Sequence, residues 1–215
     1  MAKFDPDLIF QWGIARSLAR QLPQPVPEFG GYRVDTYSDT ERRRWVFPFM
    51  QSGLVELARL IDHPDDFIKL CGAAGELRAV LSDAWAISES GYVMTVQAHA
   101  KERDVPAGYV IEIGRSDQVT GVRILSASGA LAASGYAAET DALFVYDRIV
   151  TQPEHRRKGL GAAVMIALRA SIRRRGVQEL LVATEQGRCL YETLGWRVVS
   201  PYTTASLARA SGAHS

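Results

Sequence analysis

The stretch DRIVTQPEHRRKGLGAAV, Asp147 to Val164, decides how this chain folds. A strand-like run closes at Thr151 and Pro153 follows. Three cations come next, Arg156, Arg157 and Lys158, and then Gly159 and Gly161 open an apolar helical pattern. The first-turn N–H groups of a helix have no internal partners and carry the positive end of its dipole. Glycine lets an anion approach that backbone closely, and arginine can hold a phosphate through two parallel hydrogen bonds. The stretch therefore reads as strand, pyrophosphate cradle and helix. It is neither of two common nucleotide loops. Lys158 precedes Gly159, the reverse of the P-loop order, and Val164 stands where a dinucleotide fingerprint needs its third glycine. Taken by itself, the stretch also fits a charged helix start with no ligand.

Outward from this point the periodicity changes from two to 3.6 and back. Residues 143–151 (LFVYDRIVT) read as a strand, and Gly159 to about Arg175 as a helix with Leu160, Ala163, Val164, Ala167, Leu168 and Ile172 on one face. Gly176 reads as its stop, with Arg173, Arg174 and Arg175 in the last turn, where the dipole favours cations. A strand at 179–184, a short helix at 187–194 and a strand at 196–199 follow. Strand, helix and strand at this spacing predict a right-handed parallel crossover. Upstream, 108–113, 119–125 and 130–137 read as strands joined by short turns, hence antiparallel neighbours. The sheet is predicted to be mixed.

The first hundred residues are less distinct. Pro6 to Leu22 carry a helical pattern that Pro23 ends, and 23–27 (PQPVP) read as a stiff connector. A strand is predicted at 32–37, a helix at 53–61, a strand at 67–71, a helix at 75–84 and an extended run over 85–97. The polar run Ala98 to Val105 is the predicted boundary, and the Ala- and Ser-rich end is predicted to be a frayed tail. This gives three regions: 1–104, 105–200 and a tail 201–215. No internal repeat is evident.

Composition bounds the function. The chain has 215 residues, 47% hydrophobic and 23% charged, which is enough to bury a core. Its net charge of +1 supplies no general attraction for nucleic acid or an acidic membrane, so anion binding must be local. The Arg173–Arg175 run alone would bind nucleic acid with steep salt dependence, and no nucleic-acid partner is expected. Two cysteines, Cys71 and Cys189, make neither a disulfide framework nor a metal site, so no metal is expected. The first fifteen residues do not read as a leader, and no run approaches the roughly 20 apolar residues of a membrane span. A cytoplasmic protein without a membrane partner is the expectation.

The string Arg156-x-x-Gly159-x-Gly161 behind a strand resembles the acyl-CoA-binding motif of the GNAT (GCN5-related N-acetyltransferase) superfamily, where it reads Gln/Arg-x-x-Gly-x-Gly/Ala. The segment LYETLGW, Leu190 to Trp196, is similar to the family's Leu-Tyr-x-x-x-Gly-Phe/Trp on the short helix after its fifth strand. The resemblance covers residues 107–200 in order and spacing. It implies an α/β fold, a mixed, mostly antiparallel twisted sheet flanked by helices, here with an additional N-terminal α/β half.

The resemblance also implies acetyl-CoA as cosubstrate and transfer of its acetyl group to a primary amine of a small molecule or peptide. The main chain of Ile149, Val150 and Thr151 would hold the pantetheine where the family's fourth and fifth strands part. Arg156, Arg157 and Lys158, with the N–H groups of Gly159, Leu160, Gly161 and Ala162, would hold the pyrophosphate. An N–H near Ile149 would polarise the thioester carbonyl. Tyr191 occupies the position of the family's general acid. Thr184 stands where many members carry a pantetheine-contacting asparagine.

For the base, the two-residue period puts 145, 147, 149 and 151 on one face of the strand, which brings Asp147 to the pantetheine side. Asp147 is the candidate base, against the alternative that it pairs with Arg148 or another cation. His155 is expected to face phosphate or solvent. A non-catalytic acyl-CoA-binding or sensor protein on the same scaffold remains the second reading. Residues 1–104 are left to shape the acceptor pocket or the interface of a homodimer.

Overall fold

The computed structural model describes residues 5–99 and 105–208. The predicted boundary run therefore lies largely outside the described residues. The chain divides into two compact units. One comprises Leu22–Gly91 with the chain up to Gly13 and from Ser200 on; the other comprises Ile14–Gln21 and Tyr92–Val199. The division falls at Gly91/Tyr92 rather than at residue 104, inside an extended run that continues past it.

The elements are α1 (Pro6–Arg20), β1 (Val26–Glu28), β2 (Gly31–Asp35), β3 (Arg43–Phe47), α2 (Ser52–Leu60), β4 (Asp66–Leu70), α3 (Ala74–Arg78) and β5 (Trp85–Val96). They continue with β6 (Tyr109–Ser116), β7 (Val119–Ser126), β8 (Leu131–Glu139), β9 (Leu143–Thr151), α4 (Leu160–Arg169), β10 (Gln178–Ala183), α5 (Glu185–Thr193) and β11 (Trp196–Leu207). The α/β class and the mixed sheet are as predicted.

In the first unit, β1, β2 and β3 form an antiparallel series, β3 runs parallel to β4, and β4 pairs antiparallel with Thr203–Ser206 of β11. Trp45, Phe47, Leu54, Leu57, Ile68, Leu70, Leu77 and Trp85 fill its core. Asp66 is fully buried between Arg42 and Arg43, each of which donates two hydrogen bonds to it. Burial alone would raise its pKa, but these guanidinium groups hold it below the usual carboxylate value.

Three readings are corrected here. Val26–Glu28 form a strand instead of a connector, which prolines permit because β1 lies at the edge of the strand order. β3 was not foreseen: its run of arginines hides a strand whose last four residues are all buried. The region 201–207 is strand and not tail, with Tyr202, Thr203, Thr204 and Ala205 buried.

In the second unit, β6, β7, β8 and β9 pair antiparallel in order. β9 runs parallel to β10, the predicted crossover, and β10 pairs antiparallel with Tyr92–Thr95 of β5. The buried face of α4 (Leu160, Ala163, Val164 and Leu168) packs into one cluster with Phe144, Tyr146, Leu181, Tyr191 and Trp196. α4 ends at Arg169, earlier than the predicted Arg175, because another carboxylate intervenes. Glu139, 4% exposed, accepts hydrogen bonds from the backbone N–H groups of Arg173 and Arg174. The arginine run is thus drawn out of the helix, and Arg174 also pairs with Asp141.

The order strand, helix, strand, helix, strand occurs twice: β3-α2-β4-α3-β5 and β9-α4-β10-α5-β11, with the first two strands parallel each time. The connections differ. Pro48–Gln51 lead into α2, whereas Gln152–Gly159, which include all three cations, lead into α4. At the start of α2 the backbone carbonyl of Phe29 lies 2.0 Å from where a Cβ on Gly53 would sit. That helix start is covered by the chain itself.

Candidate functional site

The site begins where two parallel strands part. β9 and β10 pair from Leu143↔Gln178 to Tyr146↔Leu181 and no further, although β9 continues to Thr151 and β10 to Ala183. On its other edge β9 keeps its partner β8, but the register shifts between Ser134 and Tyr136, so that Gly135 faces two residues, Arg148 and Ile149. This is a β-bulge, which bends the bulged strand. Arg148 sits in it with φ of 53°, a left-handed conformation uncommon for a residue with a side chain. Among the described residues, the edge of β9 that faces β10 has no strand partner beyond Tyr146.

The bulge overturns the face assignment for Asp147. A Cβ on Gly135 would meet Ile149 Cδ1 at 2.5 Å and Val164 Cγ1 at 2.6 Å, so Ile149 lies against α4. Tyr146 also lies on the α4 side, with Met165, Ile166 and Arg169 around one small cavity. Asp147 instead meets α1. Arg20 Nε donates to its Oδ2 at 2.6 Å and Arg20 Nη2 to its Oδ1 at 2.9 Å, while Arg16 Nε stands 3.5 Å and Arg148 Nε 3.7 Å away. The inserted residue breaks the two-residue period between 147 and 149.

Asp147 is only 9% exposed. Burial pushes its pKa up, but the charge of Arg16, the hydrogen bond and charge of Arg20, and the charge of Arg148 together hold it below the usual carboxylate value. A carboxylate held in this way is a weak proton acceptor. The pairing alternative describes it better than the role of base.

A single 3-10 turn, Pro153–His155, follows β9, then Arg156 is extended, Arg157 has φ of 64° and Gly159 caps α4 with φ of 79°. No side chain caps the helix, and its first internal bond is Ala163 N–H to the Gly159 carbonyl. The N–H groups of Leu160, Gly161 and Ala162 therefore point out of the helix end, and nothing lies within 4 Å of the Cβ position of Gly159. Arg156, Arg157 and Lys158 are exposed around it. Arg156 Nε donates to the Thr151 carbonyl at 3.3 Å, and Lys158 Nζ to the Tyr109 hydroxyl at 3.2 Å. That hydroxyl also meets His155 Nδ1 at 2.9 Å. Tyr109, on β6, was not foreseen because it joins the loop only through the tertiary fold.

On the far side, α5 carries Tyr191, 7% exposed, its ring centroid 6.4 Å from that of Trp196. Burial pushes its phenol up to about 12, and the nearby charge of Asp147 adds to the effect. The phenol is therefore protonated throughout the neutral range. Thr184 caps α5, its hydroxyl accepting from the Gly187 N–H at 3.2 Å, which leaves its own O–H as a donor. Cys189 is exposed on the same helix. Among the described residues no group of three or more His, Cys, Asp or Glu is placed to hold a metal ion, and no helix is long and apolar enough to cross a membrane.

Known proteins place this geometry. The family model described as "Acetyltransferase (GNAT) domain" matches residues 107–198. No curated protein matches the sequence. A GCN5-related N-acetyltransferase from Kribbella flavida superposes with a TM-score of 0.66 at 15% identity, over 94% of this chain and 96% of that one. One from Sphaerobacter thermophilus gives 0.58 at 13% identity, over 84% and 78%. A tandem GNAT protein from the clavulanic acid biosynthesis pathway gives 0.54 at 15% identity, over 84% and 80%. These likenesses extend the shared fold over both units, and within it residues 107–198 are the stretch that matches the GNAT acetyltransferase domain model.

Proposed function

We propose that the protein is an acetyl-CoA-dependent N-acetyltransferase, in which a primary amine attacks the thioester directly. The observation that carries this reading is the parting of β9 from β10 directly beside an uncapped helix end ringed by cations. The unpartnered edge of β9 at Ile149, Val150 and Thr151 offers main-chain groups to the two amides of pantetheine. The N–H groups at the start of α4, with Arg156, Arg157 and Lys158, receive the pyrophosphate. The likeness of the domain to GNAT acetyltransferases supports the same cosubstrate.

Acetyl-CoA supplies the activated acyl group. An N–H of β9 near Ile149 stabilises the oxygen of the tetrahedral intermediate, a fixed donor aimed where charge develops. The C–S bond then breaks and the sulfur leaves as thiolate. Tyr191, protonated at neutral pH, donates its proton to the sulfur, and the proton that the amine nitrogen sheds as the amide forms passes through solvent to restore the phenol. Asp147 is engaged by Arg20 and takes no part in removing the proton of the amine; its role is to hold α1 against β9.

The test is release of free CoA thiol from acetyl-CoA with a broad panel of primary amines, alongside direct titration of acetyl-CoA. Amine-dependent thiol release that drops steeply in Tyr191→Phe supports the transferase. Tight acetyl-CoA binding without thiol release from any amine, and no effect of Tyr191→Phe, supports the non-catalytic binder instead.

A further inference from the structure

The first acceptor-side question is what the arginines at the parting of the strands are for. Arg20 holds both oxygens of Asp147 and Arg16 Nε stands 3.5 Å from it, so two cations besides Arg148 face that single carboxylate. Arg148 is in a different position. Its Nε is 3.7 Å from Asp147, and among the described residues Asp147 is the one carboxylate within ion-pair distance of it. The side chain is 41% exposed, one Nη2 hydrogen bond goes to the Ala19 carbonyl, and the guanidinium carbon lies 4.1 Å over the centre of the Tyr136 ring. Stacking on one face fixes the plane of a guanidinium and leaves its edge N–H groups for a planar anion.

Two features set Arg148 apart from a stray surface cation. It occupies the bulge in a left-handed conformation, a strained arrangement for a non-glycine residue. It also lies two residues past the last β9–β10 pair, next to Asp147, whose charge is felt at Tyr191. The fold thus holds an oriented guanidinium beside the parting of β9 and β10.

Resting on the transferase reading above, we infer that Arg148 recognises the acceptor, and that the acceptor is an amine which also carries a carboxylate. A carboxylate fits the guanidinium edge in a bidentate manner, with its charge answered by the arginine that Asp147 leaves in excess. The same positive surroundings serve the chemistry. Nearby cations disfavour an ammonium and so lower the pKa of the incoming amine. Its neutral, nucleophilic form is then more abundant even though Asp147 is not available as a base.

The experiment uses the full chain and matched acceptors that differ only in the anion: glycine and glycinamide, β-alanine and β-alaninamide, alanine and alaninamide. Acetyl-CoA binding is titrated first, then thiol release and binding of each acceptor to the CoA-loaded chain are measured. The expected result is a preference for the acid of about tenfold or more in kcat/KM, the range of one charge-assisted contact. The amine of an amide loses its proton more readily, so such a preference runs against intrinsic reactivity. Arg148→Asn, a residue that tolerates the left-handed backbone, is expected to abolish the preference, and Arg148→Lys to retain part of it. If acetyl-CoA binds but acid and amide react alike, or neither acid nor amide binds or reacts, the inference is overturned while cofactor binding stands. If acetyl-CoA does not bind, the transferase reading falls, and this inference with it.

Discussion

Arg20 on α1 grips both carboxylate oxygens of Asp147 on β9, at 2.6 and 2.9 Å, across 127 residues of sequence. The pair sits one residue past the last contact between β9 and β10, so it ties the N-terminal helix to the edge of the opening.

Asp147→Asn should therefore destabilise the fold. Removing one partner of a buried, hydrogen-bonded ion pair costs about 3–5 kcal/mol, because the other charge is left uncompensated. The native carboxyl has a depressed pKa, so its contribution is present above the unfolded value near about 4 and is lost as pH falls through the folded value. Urea midpoints of the native protein should fall steeply below about pH 4. Those of Asp147→Asn should fall less, leaving the share due to Asp66. Whatever activity Asp147→Asn retains should keep the native pH profile, and loss of a limb of that profile would restore Asp147 as the base.

Tyr191→Phe should lower kcat by about a hundredfold, the lower range for loss of a proton donor. Acetyl-CoA affinity should change little, since the role proposed for the phenol is to protonate the leaving sulfur. Pre-steady-state thiol release measures the step directly, and an unchanged rate would remove Tyr191 from the chemistry.

Replacing Arg156 and Lys158 by Ala should raise the KM for acetyl-CoA more than it lowers kcat, with the difference shrinking at high salt. Tyr109→Phe should reproduce a smaller part of this effect, because its hydroxyl holds Lys158 and His155. Equal losses in kcat and kcat/KM with intact cofactor affinity would contradict the cradle.

Gly159→Ala should cost about 1–2 kcal/mol, the penalty for a side chain in the left-handed region. No neighbour contributes, as nothing lies within 4 Å of its Cβ position. Gly159→Asn should cost less, and thermal melts of the two variants separate backbone strain from steric clash.

The second unit was largely legible in the sequence. β9 runs over the predicted 143–151, and β10 and α5 lie within two residues of their predicted starts. These elements carry strong periodicity and local punctuation by Pro153, Gly159 and Gly195. The misses have a common cause. α4 stops early because Glu139, thirty residues upstream, takes the N–H groups of Arg173 and Arg174. β11 runs on because Thr203 and its neighbours find β4. The repeated order of strands and helices is not legible in the sequence because it resides in topology, while side chains such as the three cations occur in only one copy.

The sequence by itself determined the cation-ringed start of α4, since cations, glycines and a helix start are adjacent along the chain and act through local backbone geometry. Only the tertiary structure decided the partners of Asp147. A bulge at Arg148 reversed the face of a strand, and two arginines from the first helix met the carboxylate there. Pairing between segments so far apart depends on packing, which no local pattern encodes.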